Sequence, residues 1–341
     1  MSLFEQEIRQ QQYVLKNTFE TNRDQIESFA REIKSKGLKG IAVVARGSSR
    51  NACWYLKYLM ETLVGLPVVF IYPSVVSLYN AKLELKDFAL LVVSQSGNAQ
   101  DILDVLQMAK QSGARTVAVT NTPESPLATA TEHWFLDVGQ ELSVAASKTF
   151  MAQMTVFYML ATALAEGVAS FPDIDFGIAQ LLAEQDKIDK IAQQFVDFST
   201  NVFVLGRGLS YVSAEEISLK FKETCYVNAT SYQLSEFQHG PFAVLDERFC
   251  VLLFGNGDTT ADSCLKLAKR IKTTNAKLCV FSPDFRLVET GNFGRILPKC
   301  DYYSTPFLQV FAGQLLVNSL SSMRGVNPDA PRNLKKITVT E

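Results

Sequence analysis

The fold of this chain is decided by the stretch FALLVVSQSGNAQDILDVLQMA, residues 88–109. Its first six residues are apolar and rich in β-formers, which predicts a strand buried on both faces. Residues 102–109 carry apolar side chains at helical spacing and predict the next helix. Between them, residues 94–101 form a small polar loop. A loop of this kind, at the carboxyl end of a strand and the amino end of a helix, is where α/β sheets bind anions.

This loop offers hydrogen-bond donors without adding charge. The hydroxyls of Ser94 and Ser96 and the amide of Gln95 would supplement the free backbone N–H groups at the start of the helix. We therefore expect a phosphate group to bind here. The alternative is a simple helix N-cap with an additional serine.

Predicted strands and helices alternate on both sides of this stretch, which is typical of a parallel sheet with helices on both faces. The strands are predicted at residues 40–45, 68–72, 88–93 and 116–120, and the helices at 51–64, 102–111 and 126–131. Residues 3–36 are interpreted as two helices. Residues 141–167 and 176–197 are also predicted to be helical and lead to a second unit.

The second half of the chain repeats the first at an offset of about 160 residues. Residues 44–49 recur as residues 205–210, and Ser96-Gly97 before a helix recurs as Asn256-Gly257 before a helix. The second copy lacks the pair of serines. We therefore expect only the first copy to bind a phosphate.

Composition excludes several classes of function. The chain has 341 residues and a net charge of -2, which gives no basic surface for nucleic acid or for an anionic membrane. No apolar run reaches the length of a membrane span, and the acidic N-terminus does not resemble a signal peptide. Six scattered cysteines without a C-x-x-C pair favour reduced, buried thiols in a cytoplasmic protein. With only two histidines, we expect no zinc site.

Residues 216–223 are predicted to form a helix with a mixed charge face. Glu216 and Lys220 are four residues apart, and Lys220 and Glu223 are three apart. Such a face is either a solvated row of ion pairs or, because small and apolar residues flank it, a half-buried acid–base pair. His239 lies in a turn set by Gly240-Pro241, where it is either structural or a proton-transfer group.

Two further segments leave two interpretations open, and the tail has one. Residues 46–49 follow the first strand, so Ser48 and Ser49 either form a structural turn or meet the donors of the phosphate loop. Residues 141–148 are small, which would let a ligand approach the backbone, or they begin a helix with Ser143 as N-cap. The tail, residues 331–336, has the composition of a loose C-terminus.

Taken together and in order, these segments resemble the sugar isomerase (SIS) family over nearly the whole chain. Within that family the resemblance is to the isomerase half of glucosamine-6-phosphate synthase and to stand-alone aminosugar-phosphate deaminases. It implies an α/β fold of two tandem flavodoxin-like domains, each a five-stranded parallel sheet between helices, and a homodimer with its active site near the interface. The expected divisions are N-terminal helices (1–36), SIS domain 1 (37–170), a linking helix (171–197), SIS domain 2 (198–325) and a C-terminal tail over the active site (326–341).

The resemblance also implies roles for individual residues. The sugar phosphate would be held by Ser48, Ser49, Ser94, Gln95 and Ser96, and the sugar would be lined by Gly47, Val144 and Lys335. Glu223 matches the glutamate that moves a proton between C1 and C2 of the open-chain sugar, and Lys220 assists it. His239 matches the ring-opening histidine, which a neighbouring subunit contributes. Lys336 matches the lysine that forms a Schiff base with a ketose.

Two positions depart from the family pattern. Ala99 stands where the phosphate loop usually has threonine, and Ala146 stands where a serine usually follows Val144-Ala145. Each replacement removes a polar contact. No stretch resembles the glutaminase half of the synthase, so we expect this sequence not to make ammonia from glutamine.

The expected activity is therefore an isomerising deamination, in which a hexosamine 6-phosphate and water give a ketohexose 6-phosphate and ammonia. The alternative is a deglycase that splits a fructosamine 6-phosphate, because Ala99 and Ala146 would suit a bulkier substrate. A third possibility is a sensor that binds a sugar phosphate without converting it. The expected ligand is a phosphorylated amino sugar or fructosamine, with no nucleic acid and no membrane as partner. The expected reaction needs no metal and no organic cofactor.

Overall fold

The computed structural model of the chain describes residues 1–196, 198 and 201–336. They divide into two compact units. The first comprises Tyr13–Glu141 and Lys148–Pro172, and the second comprises Met1–Gln12, Leu142–Ser147 and Asp173–Lys336. Each unit contains a five-stranded parallel sheet with helices, which confirms the predicted fold class. The domain bounds given above stay a prediction, and residues 197, 199–200 and 337–341 within them lie outside the described chain.

The first unit has its strands in the order β2-β1-β3-β4-β5, all parallel. The strands are β1 (Gly40–Ala45), β2 (Val68–Phe70), β3 (Phe88–Val93), β4 (Arg115–Thr120) and β5 (His133–Phe135). The helices are α1 (Leu3–Lys36, which begins in the second unit), α2 (Gly47–Leu59), α3 (Pro73–Ser77), α4 (Gln100–Gln111), α5 (Pro126–Ala130) and α6 (Lys148–Glu166).

The strand order places a topological switch point between β1 and β3, because the chain leaves these neighbours toward opposite sides of the sheet. Every residue of β1 is buried, as is every residue of β3 after Phe88, which explains why both read as unbroken apolar runs. Ala45 at the end of β1 pairs with Val93 at the end of β3. The loops that follow the two strands therefore leave the sheet side by side.

The second unit has the strand order β10-β9-β8-β6-β7, which is the order of the first unit read from the opposite edge. Its strands are β6 (Val202–Gly206), β7 (Ala229–Gln233), β8 (Cys250–Phe254), β9 (Lys277–Ser282) and β10 (Phe293–Ile296). Its helices are α7 (Asp175–Ala183), α8 (Gln185–Phe195), α9 (Tyr211–Cys225), α10 (Leu234–Phe237), α11 (Ala261–Lys272), α12 (Phe285–Thr290) and α13 (Thr305–Met323). The shared order is what a duplication predicts.

Some helix predictions were wrong at their ends or in their number. The two helices expected in residues 3–36 are one helix, α1, because that stretch holds no glycine or proline to break it. The helix expected at 51–64 begins at Gly47 and continues past Leu59 as a π-helical turn at Met60–Val64. The helix expected at 176–197 is two helices, α7 and α8.

Two further features bear on the excluded classes. Among the residues that the structure describes, no helix is both long enough and apolar enough to cross a membrane. Five of the six cysteines are buried, the sixth, Cys300, is half-buried, and all six are free thiols.

Candidate active site

The predicted phosphate loop lies between β3 and α4, at the switch point of the first unit. The Ser94 hydroxyl accepts a hydrogen bond from the backbone N–H of Gly97 at 3.1 Å. The carbonyl of Gln95 accepts from the N–H of Asn121 at 3.0 Å and from the hydroxyls of Thr120 and Thr122 at 3.2 and 3.3 Å. The backbone of the loop is therefore fixed by its neighbours.

Two side chains of this loop remain available to a ligand. Gln95 and Ser96 are half-buried, and neither side chain hydrogen-bonds to another described residue. Helix α4 follows with Ala99 at its N-cap, which provides no side-chain cap for the first N–H groups. Uncapped N–H groups at a helix start, next to two neutral polar side chains, are suited to an anion.

Gly97 is required by this geometry. Its φ of +64° lies in the left-handed region, where residues with a Cβ are strained. A Cβ at this position would lie 2.2 Å from Ser125 Oγ and 2.6 Å from Ser125 Cβ. The tight turn of the loop thus depends on the missing side chain.

The neighbouring loop, after β1, carries the other predicted phosphate ligands. Contrary to the expected turn, Ser48 and Ser49 lie in the first turn of α2, because Gly47 adopts a φ of +54° and begins the helix. Ser49 is buried, and its hydroxyl accepts a hydrogen bond from Gln153 Nε2 at 2.9 Å. Ser48 is half-buried.

An ion pair joins the two loops of the first unit. The guanidinium of Arg46, the residue before α2, contacts the carboxylate of Asp101 in the first turn of α4. Partial burial lowers the pKa of Arg46 from its ordinary value. Because Asp101 neutralises Arg46, any anion at this edge would be held mainly by neutral donors.

In the second unit, α9 carries a cluster of three charged side chains. Lys220 Nζ lies 3.1 Å from Glu216 Oε1 and 2.5 Å from Glu223 Oε2. The side chains of Lys220 and Glu216 are fully buried, whereas 19% of the Glu223 side chain is exposed. The predicted contact between Lys220 and Glu223 is present, and burial rules out a solvated row of charges.

The electrostatics of this cluster keep the lysine charged. Burial on its own would lower the pKa of Lys220, but the carboxylates of Glu216 and Glu223 outweigh that effect and raise the pKa above its ordinary value. A permanent ammonium group therefore holds Glu223 in place. Glu223 is the member of the cluster that a substrate could reach.

His239 lies apart from this cluster in the sequence, just after α10. Its side chain is exposed and makes no hydrogen bond to a described residue. Its backbone N–H donates to the backbone carbonyl of Glu236 at 3.0 Å. Gly240, with a φ of +147°, forms the turn that follows. The described residues thus leave the imidazole open to solvent.

The segment 142–147 is not helical, although a helix was expected from residue 141. Helix α6 begins at Lys148, and Glu141 caps it by accepting from the N–H and the hydroxyl of Thr149 at 3.1 and 2.7 Å. Ser143, one alternative for the N-cap, bonds elsewhere: its hydroxyl lies 2.5 Å from Glu7 Oε2. Val144 and Ala146 are half-buried.

The tail is more ordered than its composition predicts. Arg332 stacks on Tyr226 with its guanidinium 4.2 Å from the ring centre, and the backbone N–H of Arg332 donates to the Tyr226 hydroxyl at 2.8 Å. Lys336 Nζ donates to the carbonyl of Ser143 at 2.6 Å, beside Val144. Lys335 is exposed. Two predicted site residues, Val144 and Lys336, are thus brought together.

Two residues outside the predicted site support it. Glu216 was noted only as part of a charge pattern, yet it is the buried counter-charge of Lys220. Glu7 belongs to the acidic N-terminus and has no predicted role, but it is buried and binds the segment 142–143. The sequence signal for its burial was spacing: Glu7 lies three residues after Phe4 and one before Ile8, so the three share one face of α1. Phe4 and Ile8 are fully buried.

Comparison with known proteins agrees with this architecture. The SIS domain profile matches residues 37–163 and 198–283, which is more than half of the chain. The chain therefore belongs to the SIS family, as the sequence resemblance indicated.

Relatives of the chain carry more specific names. It is 35% identical over 320 residues to the glutamine–fructose-6-phosphate aminotransferase (isomerizing) of Gloeobacter violaceus, covering 89% of this chain and 52% of the relative. The chain spans about half the length of the curated relatives it matches. A solved structure from Silicibacter pomeroyi, provisionally named a phosphosugar isomerase, has 32% identity and a TM-score of 0.81 over 96% of this chain and 100% of that one. The C-terminal domain of the aminotransferase from Francisella tularensis has 26% identity and a TM-score of 0.85, over 97% and 98%.

Proposed function

We propose that this chain is an enzyme that moves a proton between C1 and C2 of an open-chain hexose 6-phosphate. The observation that carries this proposal is the cluster on α9, where a partly exposed carboxylate, Glu223, is held by a fully buried ammonium group, Lys220. An aldose–ketose conversion needs a base that takes a proton from one carbon and returns it to the next. Glu223 can exchange a proton with a substrate, whereas Lys220 stays charged.

We further propose that the substrate is an aminosugar 6-phosphate. Glu223 would take the proton from C2 of the open-chain aldehyde and return it to C1. The aldehyde oxygen gains a proton to become a hydroxyl, and the C2 amine loses a proton to become an imine. Water then adds to the imine carbon and ammonia leaves, giving a ketohexose 6-phosphate. The names of the relatives, which refer to fructose 6-phosphate and to isomerisation, support this class of substrate.

The remaining site residues have roles in the same proposal. Neutral donors would bind the phosphate, and the candidates are Ser48, Ser49, Ser94, Gln95 and Ser96. Gly47, Val144 and Lys335 would line the sugar, and Lys336 would hold the ketose. His239, exposed and open to a proton donor or acceptor, would open the sugar ring. We also propose a homodimer in the cytoplasm, in which His239 serves the neighbouring subunit.

The test is a panel of substrates with product detection. Hexosamine 6-phosphates are assayed for ammonia, and fructoselysine and glucoselysine 6-phosphates for free amino acid. The Glu223→Gln variant keeps the shape of the side chain but removes the base, so turnover should fall by about 10²- to 10⁴-fold. Glu215→Gln is the matched control on the same helix, because Glu215 accepts hydrogen bonds from Tyr211 and Ser231, which a glutamine oxygen can also accept.

Each result leads to a different conclusion. Ammonia from one hexosamine 6-phosphate, lost in Glu223→Gln and kept in Glu215→Gln, would support the deaminase. Release of an amino acid instead would identify a deglycase. Tight binding of a sugar phosphate without any turnover would make the chain a sensor and would refute the assigned role of Glu223.

A further inference from the structure

A buried carboxylate in the N-terminal helix binds the segment that precedes α6. Glu7 is 4% exposed. Its Oε1 accepts a hydrogen bond from the N–H of Leu142, and its Oε2 lies 2.5 Å from the Ser143 hydroxyl and 3.3 Å from the Ser143 N–H. Donors from two successive residues therefore converge on one carboxyl group. A carboxyl group at this depth needs such partners, and the bonds it forms are among the stronger ones in a protein.

The other side of Ser143 binds the tail. Its carbonyl accepts from Lys336 Nζ at 2.6 Å. Ser143 thus connects two residues: its N–H and hydroxyl bond to Glu7, and its carbonyl bonds to Lys336.

A second contact holds the same segment one helical turn further along α1. Gln11 Nε2 donates to Gln314 Oε1 at 2.7 Å, and Gln314 Nε2 donates to the carbonyl of Ser147 at 3.5 Å. Gln11 and Gln314 are both fully buried. The segment 142–147 is therefore tied to α1 near both of its ends.

We infer that Glu7 is a positioning residue for Lys336. By fixing Ser143, Glu7 sets where the Lys336 ammonium group binds and so controls whether this lysine can react with the keto group of a ketose 6-phosphate. The reactive role of Lys336 rests on the proposed function. The coupling from Glu7 to the tail does not, because it can be measured without a substrate.

The first measurement is hydrogen–deuterium exchange in the full chain, with variants Glu7→Gln and Glu7→Ala. Both remove acceptors for the Leu142 and Ser143 donors, and the glutamine keeps the size of the side chain. We expect faster exchange in residues 142–147 and also in residues 331–336. Glu5→Gln is the matched control, since Glu5 lies on the same helix and pairs with Arg9 at 3.0 Å.

The second measurement traps the covalent intermediate with borohydride and fructose 6-phosphate. The neutral amine of Lys336 adds to C2, the keto oxygen leaves as water, and a C=N bond forms. Hydride from borohydride then reduces this bond. The sugar phosphate, without its former keto oxygen, stays attached to Lys336 through a C–N single bond. Loss of hydrogen bonds to a charged group predicts about tenfold slower trapping in Glu7→Gln. The melting temperature of the same sample is measured as well, and trapping is run well below it so that every variant is folded.

The outcomes separate the inference from the proposed function. Faster exchange in residues 331–336 and slower trapping, both absent in Glu5→Gln, would support the inference. If the unmodified chain traps no sugar, the role of Lys336 fails, and the exchange data alone decide the coupling. Exchange in 331–336 that equals that of the unmodified chain, or that changes equally in Glu5→Gln, would overturn the inference. If neither Glu7 variant folds, Ser143→Ala removes only the hydroxyl donor and is scored by the same two measurements.

Discussion

The buried cluster on α9 makes a quantitative prediction for the substitution Lys220→Met. Methionine keeps the unbranched apolar stem of lysine and removes the ammonium group. The Glu216 side chain, which is fully buried, then loses the cation that lies 3.1 Å from it. Removing one partner from a buried ion pair costs about 3–5 kcal/mol, because a charge is left without its compensation in a medium of low dielectric.

This cost should appear as a lower melting temperature of the second unit. For a unit of this size, each 1 kcal/mol shifts the melting temperature by about 2–4 °C, so we expect a decrease of roughly 6–20 °C for Lys220→Met. The double variant Lys220→Met with Glu216→Leu should recover most of this loss, since replacing a whole buried ion pair by apolar residues of similar volume is often neutral. Scanning calorimetry at pH 7 resolves the transition.

The same scans contain the outcome that would refute the reasoning. A melting temperature of Lys220→Met within about 1 °C of the unmodified chain would mean that Glu216 is not a buried charge that needs Lys220. A double variant no more stable than Lys220→Met would show that the loss comes from packing. Lowering the pH should raise the stability of Lys220→Met relative to pH 7, because protonation removes the uncompensated charge of Glu216.

Three further predictions concern the loop, a thiol and alkaline pH. Gly97→Ala would place a Cβ 2.2 Å from Ser125 Oγ at a left-handed φ, so we expect a cost of at least about 1 kcal/mol and a higher KM for a sugar phosphate; an unchanged KM would contradict the phosphate assignment. Burial raises the pKa of the Cys264 thiol to about 11, so a disulfide reagent at pH 8 should react with this residue only on unfolding, and fast reaction of Cys264 in the native protein would count against its buried position. The pKa of Lys220, lowered by burial but raised further by its carboxylates, lies above 10.5 in the folded chain. Its stabilisation is therefore complete below pH 10.5 and lost as the pH rises through the folded value. As the pH rises through the folded pKa of Lys220, the melting temperature of the unmodified chain should therefore fall more steeply than that of the double variant. Parallel curves of melting temperature against pH would contradict this prediction.

The central part of the first sheet could be predicted from the sequence because local signals agree there. Strand β3 has the predicted bounds, Phe88–Val93, since an unbroken apolar run is followed at once by polar loop residues. Strand β1 likewise has the predicted bounds, Gly40–Ala45. Helix α9 could also be predicted, as could the contact of Lys220 with Glu223, because residues three apart on a helix are neighbours.

The environment of the site depends on contacts between distant residues, which periodicity does not encode. Glu7 and Ser143 are 136 residues apart, and Lys336 and Ser143 are 193 apart. The positions of Phe4 and Ile8 indicate that Glu7 lies on an apolar face of α1, but they do not indicate which residues it binds. The same reason explains why residues 141–147 are not helical, although the sequence predicts a helix there. The donors of Leu142 and Ser143 bond to Glu7 instead of forming a helical turn.

The duplication shows which parts of the switch point serve the fold. In the first unit Gln153 Nε2 donates to Ser49 Oγ at 2.9 Å, and in the second unit Gln309 Nε2 donates to Ser210 Oγ at 2.9 Å. All four residues are buried. Both copies therefore keep one hydrogen bond that fixes the turn after their first strand.

The groups that face a ligand have diverged around that shared bond. The second copy has Asn256 in its loop, whose amide donates to Asp258 Oδ2 at 2.8 Å and to the carbonyl of Tyr302 at 2.9 Å. A carboxylate at this place repels a phosphate, whereas the first copy presents Gln95 and Ser96 without charge. The turn after the first strand is thus retained in both copies, whereas the uncharged loop is present in one, which is why we propose phosphate binding for the loop after β3 and not for its counterpart after β8.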